Sequence, residues 1–181
     1  MTRGTLEVFE LDAAGLQRHI DDLCRVLIDS VAEGAAISFM APLATDVAAR
    51  FWLTEVTAEM AAGRRRLFGA SIEGRLVGTV QLIVGMPPNQ PHRAEISKMI
   101  VHPDNRRQGI AKALMQAALE AAQKISKTLV TLDTRTGDVS EALYESVGFQ
   151  KAGVIPGFAQ DPDGKALHAT TYMFKTIGDE Q

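Results

Sequence analysis

The segment from Ile100 to Ala111 constrains the fold of this chain more than any other. An apolar strand pattern ends at Val101, a short loop containing Pro103 follows, and a helical pattern begins at Gly109. A loop that runs into a helix N-terminus presents backbone N–H groups without intrahelical acceptors, and the helix dipole favours an anion there. The segment therefore predicts a strand–loop–helix unit whose loop is suited to a diphosphate.

Three basic side chains, Arg106, Arg107 and Lys112, add positive charge to this loop. The loop lacks the Gly-Lys-Ser/Thr ending of a Walker sequence, and it lacks the Gly-x-Gly-x-x-Gly pattern of dinucleotide-binding proteins. From the residues alone two interpretations stay open. The loop either binds a diphosphate or is an ordinary strand-to-helix turn with solvated arginines.

Strand and helix patterns alternate along the rest of the chain. Their order, β-α-α-β-β-β-α-β-α-β-β, predicts an α/β (mixed α+β) fold in which helices pack on a mixed sheet. The length of 181 residues fits a single domain over residues 1–181. We expect strands at 5–11, 66–72, 75–84, 95–101, 128–132, 150–155 and 169–175, and helices from 16 to a stop at Gly34 and at 46–62, 109–125 and 140–147.

Charge and composition exclude several classes of function. The net charge of −3 provides no basic surplus for nucleic acid, and no apolar run approaches the ~18 residues of a membrane span. The N-terminus shows no signal-peptide core, and the single cysteine, Cys24, excludes an internal disulfide. With four scattered histidines we expect no metal site. These features predict a cytoplasmic protein with neither a nucleic-acid nor a membrane partner.

The motif Arg106-x-x-Gly109-x-Ala111 resembles the Arg/Gln-x-x-Gly-x-Gly/Ala signature of the GCN5-related N-acetyltransferases (GNAT). A second stretch similar to the family is Ala-Leu-Tyr-Glu-Ser-Val-Gly-Phe at 142–149, and the element order is similar over nearly the whole chain. The resemblance implies a twisted, mostly antiparallel sheet of about seven strands flanked by about four helices. It also implies acetyl-CoA as co-substrate, direct transfer in a ternary complex, and a homodimer as one expected assembly.

The resemblance further implies which residues bind acetyl-CoA. They lie at the end of the strand before the loop, in the loop, and in the first turn of the following helix: Met99, Ile100, Val101, Arg106, Arg107, Gln108, Gly109, Ile110, Ala111 and Lys112.

Scattered stretches also resemble the tabtoxin-resistance subgroup of the family, which inactivates a β-lactam toxin by acylating its amine. This similarity implies an enzyme, an acyltransferase, that acts on a small-molecule primary amine such as that of a toxin or antibiotic. A protein or peptide amine and a non-catalytic acyl-CoA sensor stay open as alternatives. The stretches are 36–40, 93–96, 132–134, 157–158, 162–164 and 174–176.

Acetyl transfer to an amine needs a base for the amine proton and an acid for the departing thiolate. Tyr144 matches the family's tyrosine near the thioester sulfur, and a phenol with a pKa of ~10 stays protonated. Two carboxylates compete for the base: Glu95, on the strand before the loop, and Asp133, at the end of the 128–132 strand. We favour Asp133 slightly and keep both carboxylates as candidates for the base. As structural residues, Tyr144 would pack in the core, Glu95 would lie on a surface strand and Asp133 would cap a turn.

Three geometric expectations follow from these patterns. In a regular strand, Glu95, Ser97, Met99 and Val101 share one face. His102 should lie on the exposed side of Val101. A small acceptor requires the first two helices and the loop at 157–168 to close over it, whereas a peptide requires a groove open on both sides.

Overall fold

Seven strands form one mixed sheet in the computed structural model, which describes residues 4–178. Their spatial order is β1-β2-β3-β4-β5-β7-β6, and every neighbouring pair is antiparallel except β4 and β5, which are parallel. The mixed, mostly antiparallel sheet of about seven strands is therefore confirmed. The strands are β1 (Leu6–Leu11), β2 (Arg65–Ile72), β3 (Arg75–Ile83), β4 (Arg93–Val101), β5 (Leu129–Arg135), β6 (Gln150–Gln160) and β7 (Leu167–Thr176).

Helices form in the four predicted regions, but two regions are divided. Asp12 caps the first helix by accepting a hydrogen bond from the Gly15 amide at 2.6 Å, so it begins at Ala13 and not at Leu16. It breaks at His19. A π-helical segment, Phe51–Val56, joins two short helices in the second region. The helices are α1 (Ala13–Arg18), α2 (Ile20–Ala32), α3 (Thr45–Arg50), α4 (Thr57–Ala61), α5 (Ile110–Lys124) and α6 (Val139–Ser146).

Each face of the sheet has its own hydrophobic core. On one face, Leu114, Met115 and Ala118 of α5 pack against strand residues that include Val80 and Ile96. On the other face, α2 and the helices from 45 to 61 cover the first four strands, with Trp52 fully buried among leucines and valines. These two layers hold β4 rigidly from both sides, and the loop that follows β4 starts from that fixed strand.

Candidate active site

The loop between β4 and α5 has the geometry expected of an anion cradle. Arg107 and Gly109 both adopt positive φ, +61° and +80°, and α5 begins at Ile110. The first intrahelical bond is donated by Ala113 to the Gly109 carbonyl at 3.0 Å. The amides of the preceding helical residues therefore have no intrahelical acceptor. A Cβ added at Gly109 would meet no atom within 4 Å, so the cradle is open.

His102 fastens the start of this loop to α2. Its ring is buried, its Nε2 lies 2.9 Å from Asp29 Oδ2, and its Nδ1 accepts a hydrogen bond from the Asp104 amide at 3.3 Å. The expectation that His102 lies on an exposed side is therefore wrong. The side chain points into the sheet–helix interface because it caps the short 3₁₀ turn at Pro103–Asn105.

A β-bulge interrupts β4 in front of the loop. Lys98 has φ +48°, and together with Met99 it lies opposite the single residue Val80 of β3. The added residue shifts the alternation of side chains by one. As a result Val101 packs in the same core as Ile96, on the α5 side of the sheet.

The expected common face of Glu95, Ser97, Met99 and Val101 is consequently wrong. Glu95 and Ser97 precede the bulge and face away from α5, whereas Met99 packs with the α5 core, as Val101 does. The apolar positions on the α5 side change phase, from Ala94 and Ile96 to Met99 and Val101, but the apolar residue Ile100 between the last two obscures this change in the sequence.

A cavity of about 680 Å³ opens where β4 and β5 separate. The two strands pair only between 93–95 and 129–131, and their carboxyl-terminal halves diverge from there. The cavity walls come from the loop after α2, the end of β4, the loop and first turn of α5, the end of β5, and α6. Of the residues predicted to bind acetyl-CoA, all except Gln108 line it: Met99, Ile100, Val101, Arg106, Arg107, Gly109, Ile110, Ala111 and Lys112.

Tyr144 of α6 and Asp133 of β5 line the same cavity. The Tyr144 ring is buried beside Phe149. Burial, followed by the negative charges of Asp138 and Asp133, raises the pKa of Tyr144 above its usual value, so the hydroxyl stays protonated. Asp133 accepts a hydrogen bond from Thr170 Oγ1 at 3.0 Å. A proton donor and a carboxylate therefore share one space.

Glu95 lies outside the walls of this cavity. Its carboxylate pairs with Arg93 at 3.1 Å, and the same guanidinium donates to Thr131 Oγ1 at 2.8 Å. Glu95 thus already has a partner beside the cleft, whereas Asp133 opens onto it. The structure places the two candidate bases in different environments, and the role of each stays a prediction.

Several residues of the cavity wall were not among the predicted site residues, and two of them, Lys98 and Ser38, form a polar contact. Lys98, at the bulge, donates a hydrogen bond from Nζ to Ser38 Oγ at 3.1 Å and lies 5.9 Å from the centre of the Phe39 ring. Ser38 belongs to the loop after α2 and also has positive φ. Residues 36–40 stood out in the sequence only through an expected subgroup resemblance that the comparisons with known proteins do not show, and the sequence offered no signal for Lys98.

The loop after α2 also contacts the β6–β7 hairpin. The Ala41 amide donates to the Pro162 carbonyl at 2.8 Å, and a Cβ at Gly164 would lie 3.6 Å from Met40 Cε. On the hairpin, the Phe158 and Tyr172 rings pack edge to face with centroids 6.1 Å apart. Two segments far apart in sequence therefore contact each other next to residues 33–38 of the cavity wall, although none of these contact residues lines the cavity itself.

Residues 4–178 contain neither a metal-binding cluster nor a membrane-spanning helix. No cluster of three or more His, Cys, Asp or Glu side chains in this range could hold a metal ion. Nor does any helix in it have the length and apolarity that crossing a membrane requires.

Comparison with known proteins identifies a family for most of the chain. A model of the acetyltransferase (GNAT) family matches residues 36–149. Human N-acetyltransferase 8 is 41% identical over 86 residues, which cover 46% of this chain and 38% of that protein. The chain spans less than half the length of the first curated relatives it matches.

Solved structures share the fold at low sequence identity. The yncA protein of Salmonella typhimurium, solved with its cofactor acetyl-CoA, superposes with a TM-score of 0.78 at 17% identity, covering 97% of this chain and 95% of that one. The ribosomal-protein-alanine N-acetyltransferase of Brucella melitensis superposes with a TM-score of 0.76 at 22% identity, covering 94% and 99%.

Proposed function

The chain belongs to the acetyltransferase (GNAT) family, and from that premise we propose that it transfers the acetyl group of acetyl-CoA to the primary amine of a small molecule. One observation carries this proposal. The open amide cradle at Gly109, the protonated Tyr144 hydroxyl and the Asp133 carboxylate all line one cavity of about 680 Å³.

The residues present fit the pyrophosphate of acetyl-CoA. The unbonded amides at the start of α5 and the side chains of Arg107 and Lys112 supply donors and positive charge for the two phosphates. Gly109 leaves the approach free of side-chain atoms. When bound there, acetyl-CoA supplies a thioester as the acyl donor.

The chain's own groups then manage the two protons of the reaction. Asp133, oriented by Thr170, takes a proton from the acceptor ammonium or holds a water that does so, which leaves a neutral nucleophile. Tyr144 holds its proton in the cleft and donates it to the departing sulfur. A coenzyme thiolate with an ordinary pKa near ~8.5 leaves more readily when it is protonated.

A small acceptor is supported by the link between the loop after α2, whose residues 33–38 line the cavity, and the β6–β7 hairpin. The hydrogen bond from Ala41 to Pro162 holds these two segments together, which favours a bounded space for a small-molecule acceptor over a groove open on both sides. A toxin or antibiotic amine is one member of this class.

A thiol-release assay tests the proposal. The protein is mixed with acetyl-CoA and a panel of amino acids, aminoglycosides, polyamines, β-lactam amino acids and short peptides, and CoA release and acetylated product are both measured. We expect turnover of at least one small amine. Turnover of peptides alone would contradict the small-molecule acceptor, and acetyl-CoA binding without any turnover would favour a sensor.

A further inference from the structure

We propose that Lys98 binds an anionic group of the acceptor, so that the acceptor is a small molecule carrying both a primary amine and a carboxylate. This inference rests on the proposed function, because it names the acceptor class of the same site.

The first support is the unused hydrogen-bonding capacity of Lys98. An ammonium has three N–H donors, and the one described partner of Lys98 Nζ is Ser38 Oγ at 3.1 Å. Within residues 4–178, Lys98 forms no ion pair. Either water in the cavity or an acceptor on a bound molecule must satisfy the unused donors of a half-buried ammonium. Since Lys98 lines the cavity, a bound molecule can supply that acceptor.

The second support is the backbone that presents this side chain. A positive φ is uncommon for a residue with a Cβ, and it occurs where the surrounding structure enforces it. At Lys98 the bulge enforces it. The side chain is directed toward Ser38 and Phe39, on the acceptor side, rather than along the cofactor loop.

The charges around Lys98 complement a zwitterion. Burial, followed by the positive charge of Arg65, lowers the pKa of Lys98 below its usual value. The negative charges of Asp133, Glu55 and Glu95 offset part of this shift. Glu95 is already paired with Arg93. Glu55 forms no ion pair among the described residues, but it does not line the cavity, whereas Asp133 and Lys98 both do. Within the cavity, Asp133 therefore attracts an ammonium and Lys98 a carboxylate.

Further donors lie next to Lys98 on the same region of the sheet. Arg65 Nη1 donates to Gln81 Oε1 at 2.6 Å, and Gln81 pairs across the strands with Ser97, the neighbour of Lys98. In the described part of the chain, Arg65 Nε and Gln81 Nε2 are buried without a hydrogen-bond partner. Neither Arg65 nor Gln81 lines the cavity, so they place positive charge and donors behind Lys98 and leave the ligand contact to Lys98 itself.

Matched pairs of acceptors test the proposal. Each amino acid, from 3-aminopropanoate to 6-aminohexanoate together with L-leucine and L-phenylalanine, is compared with its own carboxamide. The kcat/KM ratio of acid to amide is measured for wild type, Lys98→Met, Lys98→Gln and Lys98→Arg. Lys124→Met, at the exposed end of α5, is the control. Thermal melts verify that each variant folds.

We expect Lys98→Met and Lys98→Gln to reduce the acid-to-amide ratio by about 10- to 100-fold, through KM more than kcat, because the lost hydrogen bonds involve charged groups. Lys98→Arg should restore part of it, and Lys124→Met should leave it unchanged. An unchanged ratio in folded Lys98→Met and Lys98→Gln overturns the proposal, as does a wild-type preference for amines without an anionic group.

A binding measurement separates this proposal from the proposed function. Equilibrium binding of the same amino acids is measured with CoA in place of acetyl-CoA, so that no transfer occurs. Binding that depends on Lys98 but is not accompanied by turnover would support the anion site and contradict the proposed acetyltransferase activity. Turnover without any Lys98-dependent binding or discrimination would retain the acetyltransferase and contradict the anion site.

Discussion

Thr170 donates a hydrogen bond from Oγ1 to Asp133 Oδ2 at 3.0 Å, which orients the carboxylate at the end of β5 through a hydroxyl of the neighbouring β7. The same hydroxyl lies 2.9 Å from the Thr134 carbonyl, so its single proton is shared between that carbonyl and the Asp133 carboxylate. Among the described residues, Asp133 Oδ1 has no hydrogen-bond donor. Asp133 therefore offers an oriented carboxylate with one free oxygen beside the cavity, whereas the carboxylate of Glu95 is held by Arg93.

This contrast predicts which carboxylate acts as the base. Asp133→Asn should lower kcat by ~10²–10⁴-fold, the usual contribution of a general base. Glu95→Gln, the matched control with the same chemical change, should lower it by less than about tenfold. The rate of CoA release at saturating substrate measures kcat for both variants. The affinity of each variant for acetyl-CoA should stay close to that of wild type. The reverse order would assign the base to Glu95, and full activity in both variants would exclude both.

Tyr144→Phe tests the acid. Phenylalanine keeps the ring that packs beside Phe149 and removes only the hydroxyl. We expect normal folding, nearly unchanged acetyl-CoA affinity and a kcat lower by ~10²-fold, equivalent to about 2.7 kcal/mol, because the lost interaction acts when charge develops on sulfur. Single-turnover rates measure the effect, and equal rates would leave Tyr144 as a wall of the pocket.

An activated donor supplies the control for this variant. A p-nitrothiophenyl acetyl donor releases a thiolate that needs no proton, so the difference between Tyr144→Phe and wild type should narrow with it. A difference that stays as large as with acetyl-CoA would show that the hydroxyl acts elsewhere than on the leaving group.

Gly109→Glu tests the cofactor cradle. A carboxylate there would fill the space beside the free amides of α5 and repel diphosphate, so acetyl-CoA should no longer raise the melting temperature. Gly74→Glu is the control, because Gly74 also has positive φ (+78°) and open space around it but lies in the β2–β3 turn, away from the cavity. A retained shift in folded Gly109→Glu would contradict the cradle.

His102→Ala tests the attachment of the cofactor loop to α2. Removing the ring leaves the Asp104 amide and Asp29 without a partner and opens a small void, so unfolding free energy should fall by about 1–3 kcal/mol. The Kd for acetyl-CoA should rise as the start of the loop loosens. His92→Ala, at an exposed position before β4, should change neither quantity. Denaturant unfolding measures the unfolding free energy, and titration with acetyl-CoA measures the Kd. Equal values of both for His102→Ala and His92→Ala would contradict the attachment.

Local patterns in the sequence predicted most of the architecture. Period-two and period-3.6 hydrophobicity located seven strands and four helical regions, and the motif from Arg106 to Ala111 located the strand–loop–helix unit. These features are readable because each depends on residues close together in the chain. The Asp12 cap is also local. It starts α1 at Ala13, three residues before the start at 16 that hydrophobic spacing predicts.

The remaining features depend on contacts between distant segments. The bulge at Lys98 is defined by its register against β3, the burial of His102 by Asp29 on α2, and the contact between the loop after α2 and the β6–β7 hairpin by Ala41 and Pro162. No spacing within one segment encodes such pairings. The cavity wall around Lys98 was therefore less predictable than the wall formed by the loop before α5.

The initial rate of CoA release, with acetyl-CoA and an amine from the panel both varied, tests the central claim most directly. The account places donor, acceptor, Asp133 and Tyr144 in one cavity, and it therefore predicts intersecting double-reciprocal lines, one acetylated amine for each CoA released, and no acetyl group left on the protein when the amine is omitted. Parallel lines with an acetylated protein, or CoA release that does not depend on any amine, would contradict it.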